Sequence, residues 1–223
     1  MVEYSLIRSK RKTVVINVSG GGVEVRAPLR LSKKEIDRFV LSKEKWIISK
    51  LAYLSERTKK REDFSIDYGD TILYRGELCP VVQKICNRPV FEDNTFVIPS
   101  GMSPDEIKES CIKLYKKLAK REVNDKVQHY AQKLSVEPAS VKINSAKSRW
   151  GSCSAKRNLN FSWLLIMGDD DVIDYIVVHE LAHIFELNHS PRFWKIVQSV
   201  LPDYKDRQKS LKTLQEKLAI EDW

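Results

Sequence analysis

Residues 13–18 are rich in β-branched apolar side chains, apolar and polar positions alternate with a period of two in residues 23–27, and Gly20-Gly21-Gly22 between them offers the positive φ of a tight turn. A hairpin is predicted, closed by Pro28. The period then changes. Ser32-Lys33-Lys34-Glu35 has the form of a capping box, and Ile36, Phe39, Val40, Ile47, Leu51 and Leu54 recur at helical spacing. One helix of about 25 residues is expected there. Residues 64–99 return to short β-type stretches at 71–74, 81–85 and 96–98, punctuated by Gly69, Gly76, Pro80 and Pro89, and read as more antiparallel sheet. Ser103-Pro104-Asp105-Glu106 is a second capping box, with proline at the first helical position, and no Gly or Pro interrupts the chain from there to Leu134. Such a helix is about 45 Å long. Strands at 141–144, 149–153 and 159–166 follow, then helices near 170–187, 191–200 and 203–220. The fold class expected is α+β, with a domain boundary near Ser100-Gly101. Residues 1–100 form a β-rich N-terminal region with one long helix, and residues 101–223 form a second domain around a small mixed sheet.

Composition narrows the class. The chain has 223 residues, of which 42% are hydrophobic, with eight glycines and eight prolines, which excludes collagen-like and low-complexity architectures. No run approaches the 18 or so apolar residues of a membrane span, and the N-terminus lacks a secretory leader pattern, so a cytoplasmic location is expected. Cys79, Cys86, Cys111 and Cys153 have no C-x-x-C spacing and read as reduced thiols. Charge is uneven: residues 1–62 hold 16 Lys and Arg against 7 Asp and Glu, while residues 63–223 hold 23 of each. The basic segment makes nucleic acid a candidate partner, although a lysine-rich surface serving solubility is the preferred reading.

Three of the four histidines fall between 179 and 189, in VVHELAHIFELNHSPRFW. On a helix, His179 and His183 lie one turn apart and about 40° apart in azimuth, a bite that two imidazoles can close on one metal ion. Glu180, next to the first, is the candidate general base for a water activated by that ion. Neutral imidazoles favour Zn2+, and three protein ligands with one open position mark a catalytic site. The third ligand expected is His189. On a continued helix it would point about 240° away and 9 Å along, so the helix must stop first. Asn188 is able to take the left-handed conformation that ends a helix, Ser190 is a good N-cap and Pro191 suits the next first turn. The aspartates 169–171 suit the start of the histidine helix, and Ile173, Ile176, Val177, Leu181 and Ile184 give it a broad apolar face. A lone H-E-x-x-H also occurs on core helices; the third histidine and the corner weigh against that. Asp203 and Asp206 rank below His189 as ligands, Glu186 reads as solvent-facing or supporting, and His129 as a surface or packing residue.

With these motifs the sequence resembles the YgjP-like metallopeptidases, relatives of the SprT-like and other zincin-fold peptidases. The resemblance is carried by RSKRKTVVINV and VRAP near the start, Lys45-Trp46-Ile47, SRWGSCS at 148–154, LNFSWLLI at 159–166 and DYIVVHELAHIFELNHSPRFW at 174–194. It implies a zincin-like catalytic domain with His179, His183 and His189 on zinc and Glu180 as general base. The metzincin glycine that would fall at Glu186 is absent, and no methionine follows the motif within thirty residues.

Residues 149–153 suit an edge strand pairing with an extended substrate, which makes Arg149, Trp150 and Gly151 candidate substrate-binding residues. Trp150 as a core anchor and Gly151 as a bulge fit the same residues equally well. Tyr175 and Tyr204 are further candidates for stabilising an oxyanion. Function is thus read as peptide-bond hydrolysis of a peptide or protein substrate through one zinc ion, with no membrane partner. Alternatives are metal-dependent hydrolysis of a nucleotide phosphoanhydride, or a nucleic-acid-associated protein with structural zinc.

Overall fold

A computed structural model describes residues 2–223. Contacts divide the chain into two compact units.

The first unit runs as far as Phe64 and includes Ala219–Asp222. Its strands are β1 (Ser5–Ser9), β2 (Val15–Ser19) and β3 (Gly22–Pro28), in the order β1-β3-β2. The predicted hairpin is β2–β3, paired antiparallel with Ile16 opposite Val25, and of its glycines only Gly22 has positive φ. The alternation in β3 points Val23, Val25 and Ala27 inward, where they pack with Ile36, Val40 and Ile47. β1, not foreseen, adds to β3 in parallel. The single helix expected is two, α1 (Lys33–Ser42) and α2 (Glu44–Glu62), because Lys43 leaves helical geometry at φ −108° and ψ 4°. At that break the Ser42 hydroxyl donates to the Phe39 carbonyl at 2.7 Å, a back-bond that bends helices.

The second unit spans Ser65–Leu218 together with Trp223. β4 (Thr71–Tyr74), β5 (Glu77–Lys84), β6 (Val90–Glu92) and β7 (Thr95–Pro99) form one sheet in the order β4-β5-β7-β6. It is mixed, not antiparallel throughout, since β5 pairs β7 in parallel. α3 (Pro104–Leu134) covers the predicted length and opens with the capping box at Ser103 and Glu106. Aromatic side chains join this sheet to α3. Tyr115 of α3 lies 5.0 Å from Phe96 and donates its hydroxyl to the Leu73 carbonyl at 2.7 Å. The expected division near residue 100 therefore falls inside this unit.

A second small sheet, order β8-β10-β9, contains β8 (Ser140–Asn144), β9 (Gly151–Cys153) and β10 (Asn158–Ser162). The apolar run after Phe161 does not continue as strand. Ser162 caps a 3₁₀ turn, Trp163–Met167, whose Trp163 stacks on Tyr115 at 5.5 Å. Three helices follow: α4 (Asp170–Ala182), α5 (Pro191–Val200) and α6 (Tyr204–Leu218). Among the described residues, no helix is long and apolar enough to cross a membrane.

Candidate metal centre

α4 starts where the aspartates predict. Asp169 is its N-cap, accepting from the Val172 amide at 2.8 Å, and Asp170 and Asp171 occupy the first turn. Ile173, Val177, Val178 and Leu181 are fully buried, and Val172, Tyr175, Ile176 and Glu180 are buried with them, so the helix is enclosed on most sides after its first turn. A network of ion pairs anchors its first half: Arg75 to Asp170, Lys126 to Asp174, and Arg207 to Asp171. The helix is shorter than expected. It ends at Ala182 with His183 as C-cap, and the next turns tighten, with the Phe185 and Glu186 amides both bonded to the Ala182 carbonyl at 3.1 Å. Asn188 is not left-handed; its carbonyl accepts from the Ser190 amide at 2.8 Å. Ser190 and Pro191 open α5 as expected, the Ser190 hydroxyl accepting from the Phe193 amide.

This corner brings His189 back to α4. The ligand-type nitrogens of His179, His183 and His189 all lie within 4.8 Å of one another, and His189 Nε2 is 3.0 Å from His179 Nε2. Those separations bracket the roughly 3.4 Å between nitrogens in a tetrahedral set at zinc–nitrogen distances of about 2.1 Å. Burial, and then the neighbouring His183 and His189, pushes His179 down to about 3, so its ring is neutral, as a metal ligand must be. His183 is also lowered, mainly by burial. Its Nδ1 lies 3.0 Å from the Glu186 carbonyl, an acceptor that fixes the hydrogen on Nδ1 and leaves Nε2 free. The role of Glu186 is thus played by its backbone.

Glu180 is 5% exposed, and its Oε2 is one of two buried side-chain polar atoms among the described residues that lack a hydrogen-bond partner. Burial pushes its pKa up to about 7, against a downward pull from the charge of Arg149. An orphaned buried carboxylate beside three converging imidazoles fits a site built around a cation and a reacting water.

β9 ends its sheet and packs against α4. A Cβ placed on Gly151 would stand 2.6 Å from Glu180 Cγ and Oε1. Gly151 therefore makes the slot in which the carboxylate sits, a relation that no spacing in the sequence announces. Arg149 is exposed and Trp150 half-buried, and its carbonyl accepts from the Ser162 amide at 2.8 Å.

Sequence reasoning also missed the aromatic wall. Phe193, fully buried, lies 4.6 to 4.9 Å from the ring centres of all three histidines. Trp194 stacks on His189 at 5.7 Å, and Tyr204 stacks on Trp194 at 5.3 Å. The available signal was Phe193-Trp194 in the first turn after the Ser190-Pro191 helix start. The remaining candidates lie elsewhere. Asp203 pairs with Arg207, Asp206 with Lys209, and the exposed His129 packs on Tyr130. Tyr175, 3% exposed, stands behind His179.

A helix-borne H-E-x-x-H with a third imidazole folded onto it defines a candidate metallopeptidase centre. The YgjP-like metallopeptidase domain matches residues 12–214, and the chain belongs to that family, which implies a metal and a peptide or protein substrate. No curated protein matches. Among solved structures, the metallopeptidase zymogen of Pyrococcus abyssi abylysin is 25% identical, covering 42% of this chain and 95% of that chain, with a TM-score of 0.40. The metallopeptidase zymogen of Methanocaldococcus jannaschii jannalysin is 24% identical over the same shares, with a TM-score of 0.37.

Proposed function

We propose that the protein hydrolyses peptide bonds with one zinc ion held by His179, His183 and His189. The observation that carries this reading is the convergence of three imidazole nitrogens beside the unpartnered Glu180 carboxylate. Zinc, when bound, acidifies a water and polarises a carbonyl oxygen. Glu180 takes the proton of the attacking water and delivers it to the departing amine. The free side of β9 aligns an extended peptide, and Arg149 and Trp150 contact it. Phe193 and the buried face of α4 hold the imidazoles in register and keep bulk water from one side of them.

The test is a peptide-library digest with the zinc-loaded protein and Glu180→Gln. Activity is expected to fall by about 10³-fold in the variant and to disappear with a chelator, returning when zinc is restored. Cleavage that survives the substitution overturns the mechanism. A parallel nucleotide-hydrolysis assay is expected to show no turnover, and turnover that depends on Glu180 would replace the peptidase reading.

A further inference from the structure

We infer that Tyr175 and Gln208 are positioning residues that select the tautomer of His179; the inference rests on the metal-centre reading above. Tyr175 lies one turn before His179 on α4, and its hydroxyl is 3.4 Å from His179 Nδ1. Gln208, on α6, places its amide nitrogen 2.8 Å from the same hydroxyl. Tyr175 is only 3% exposed, and its hydroxyl bridges these two neighbours.

Imidazole, hydroxyl and carboxamide each both donate and accept, so the row can run in two senses. In the first, the Gln208 amide donates to Tyr175 and Tyr175 donates to His179 Nδ1. The ring hydrogen is then on Nε2, directed at His189 Nε2 3.0 Å away. In the second, His179 Nδ1–H donates to Tyr175, and Tyr175 donates to Gln208 Oε1 after the amide turns by 180°. Nε2 then offers a lone pair. Both senses contain the same number of hydrogens, and passing between them moves one ring hydrogen of His179 from Nε2 to Nδ1 by exchange with water. Only the second lets His179 Nε2 bind a cation. His183 has no such choice, because the Glu186 carbonyl accepts only. One ligand is thus permanently ready, and the other is made ready by reversal of a row that ends on a different helix.

Zinc affinity, measured by competition with a chromophoric chelator, tests this for wild type, Tyr175→Phe, Gln208→Leu and the double variant. Tyr175→Phe is expected to weaken zinc binding about 10-fold or more, as loss of an outer hydrogen-bond partner does. Gln208→Leu weakens it by a similar or smaller factor, and adds less than about twofold in the Tyr175→Phe background, since both act through one row. Long-range nitrogen–proton NMR of the metal-free protein is expected to show the His179 hydrogen redistributed between Nδ1 and Nε2 in Tyr175→Phe relative to wild type, a signature that a merely structural role would not produce. Wild-type affinity in both single variants, additive losses, or an unchanged His179 tautomer in metal-free Tyr175→Phe overturns the relay alone. A wild-type protein that takes up no zinc overturns the relay and the metal-centre reading together.

Discussion

The two segments that supply the histidines are built by different means. His179 lies on α4 and His183 caps its C-terminus; the helix is largely buried, and its first half is tied down by ion pairs from Arg75, Lys126 and Arg207. His189 sits exposed on a turn, and ring contacts hold it, with Phe193 on one side and Trp194 stacked at 5.7 Å. The helix holds His179 within its hydrogen-bonded body and His183 at its C-cap, where the Glu186 carbonyl meets His183 Nδ1. The turn is shaped by a few backbone bonds, and its single imidazole is held by ring contacts, so its hold is local and divisible. On this difference, substitution of His179 or His183 is expected to abolish the proposed zinc site, and changes around His189 to tune it.

The largest effect that probes this contrast is expected from His183→Ala. If the binding energy of a zinc site, about 10–16 kcal/mol, is shared among its donors, loss of one helix-borne imidazole weakens zinc binding roughly a thousandfold. A loss under tenfold in chelator competition would show that the helix pair is not the anchor. Next comes Gly151→Ala, which sets a methyl group against the Glu180 carboxylate. The expected outcome is kcat/KM lower by about 100-fold, with zinc affinity within about twofold, because a displaced base costs catalysis and not metal. Equal losses in both measurements would contradict the slot. Trp194→Ala removes the stack on His189 and is expected to weaken zinc binding about 10-fold, in line with a ring pair worth about 0.5–1.5 kcal/mol, while Trp194→Phe recovers part of it. An alanine variant with unchanged affinity would mean that the turn is rigid by itself. The smallest effect is expected from Ser190→Ala, which deletes the α5 N-cap at a cost of about 1 kcal/mol in thermal stability and changes zinc affinity by less than about threefold. A larger affinity change than that would move the control of His189 from the rings to the cap.

Local rules carried much of the architecture. Capping boxes at Ser32 and Ser103, the aspartates before α4 and the Ser190-Pro191 start of α5 all act where they are written, because a cap satisfies amides within three residues of itself. The i, i+4 histidine pair is legible for the same reason. The end of α4 was harder. Nothing in residues 183–187 forbids helix, and the chain leaves it at His183 because the tightened turn supplies the Glu186 carbonyl to His183 Nδ1. The run after Phe161 looked like strand because periodicity cannot separate a short apolar strand from a buried 3₁₀ turn; packing of Trp163 on Tyr115 settles it.

The amino-acid order therefore dictated which residues could donate to a metal, where the helices begin, and that the chain must turn before His189, since each of these depends on atoms a few positions apart. Tertiary packing alone decided that Gly151 leaves room for Glu180, that Phe193 and Trp194 wall the imidazoles, and that Gln208 reaches Tyr175 across 33 positions of chain. Those relations join side chains from separate elements, and distances between elements are set by how whole surfaces close-pack, which no local period encodes.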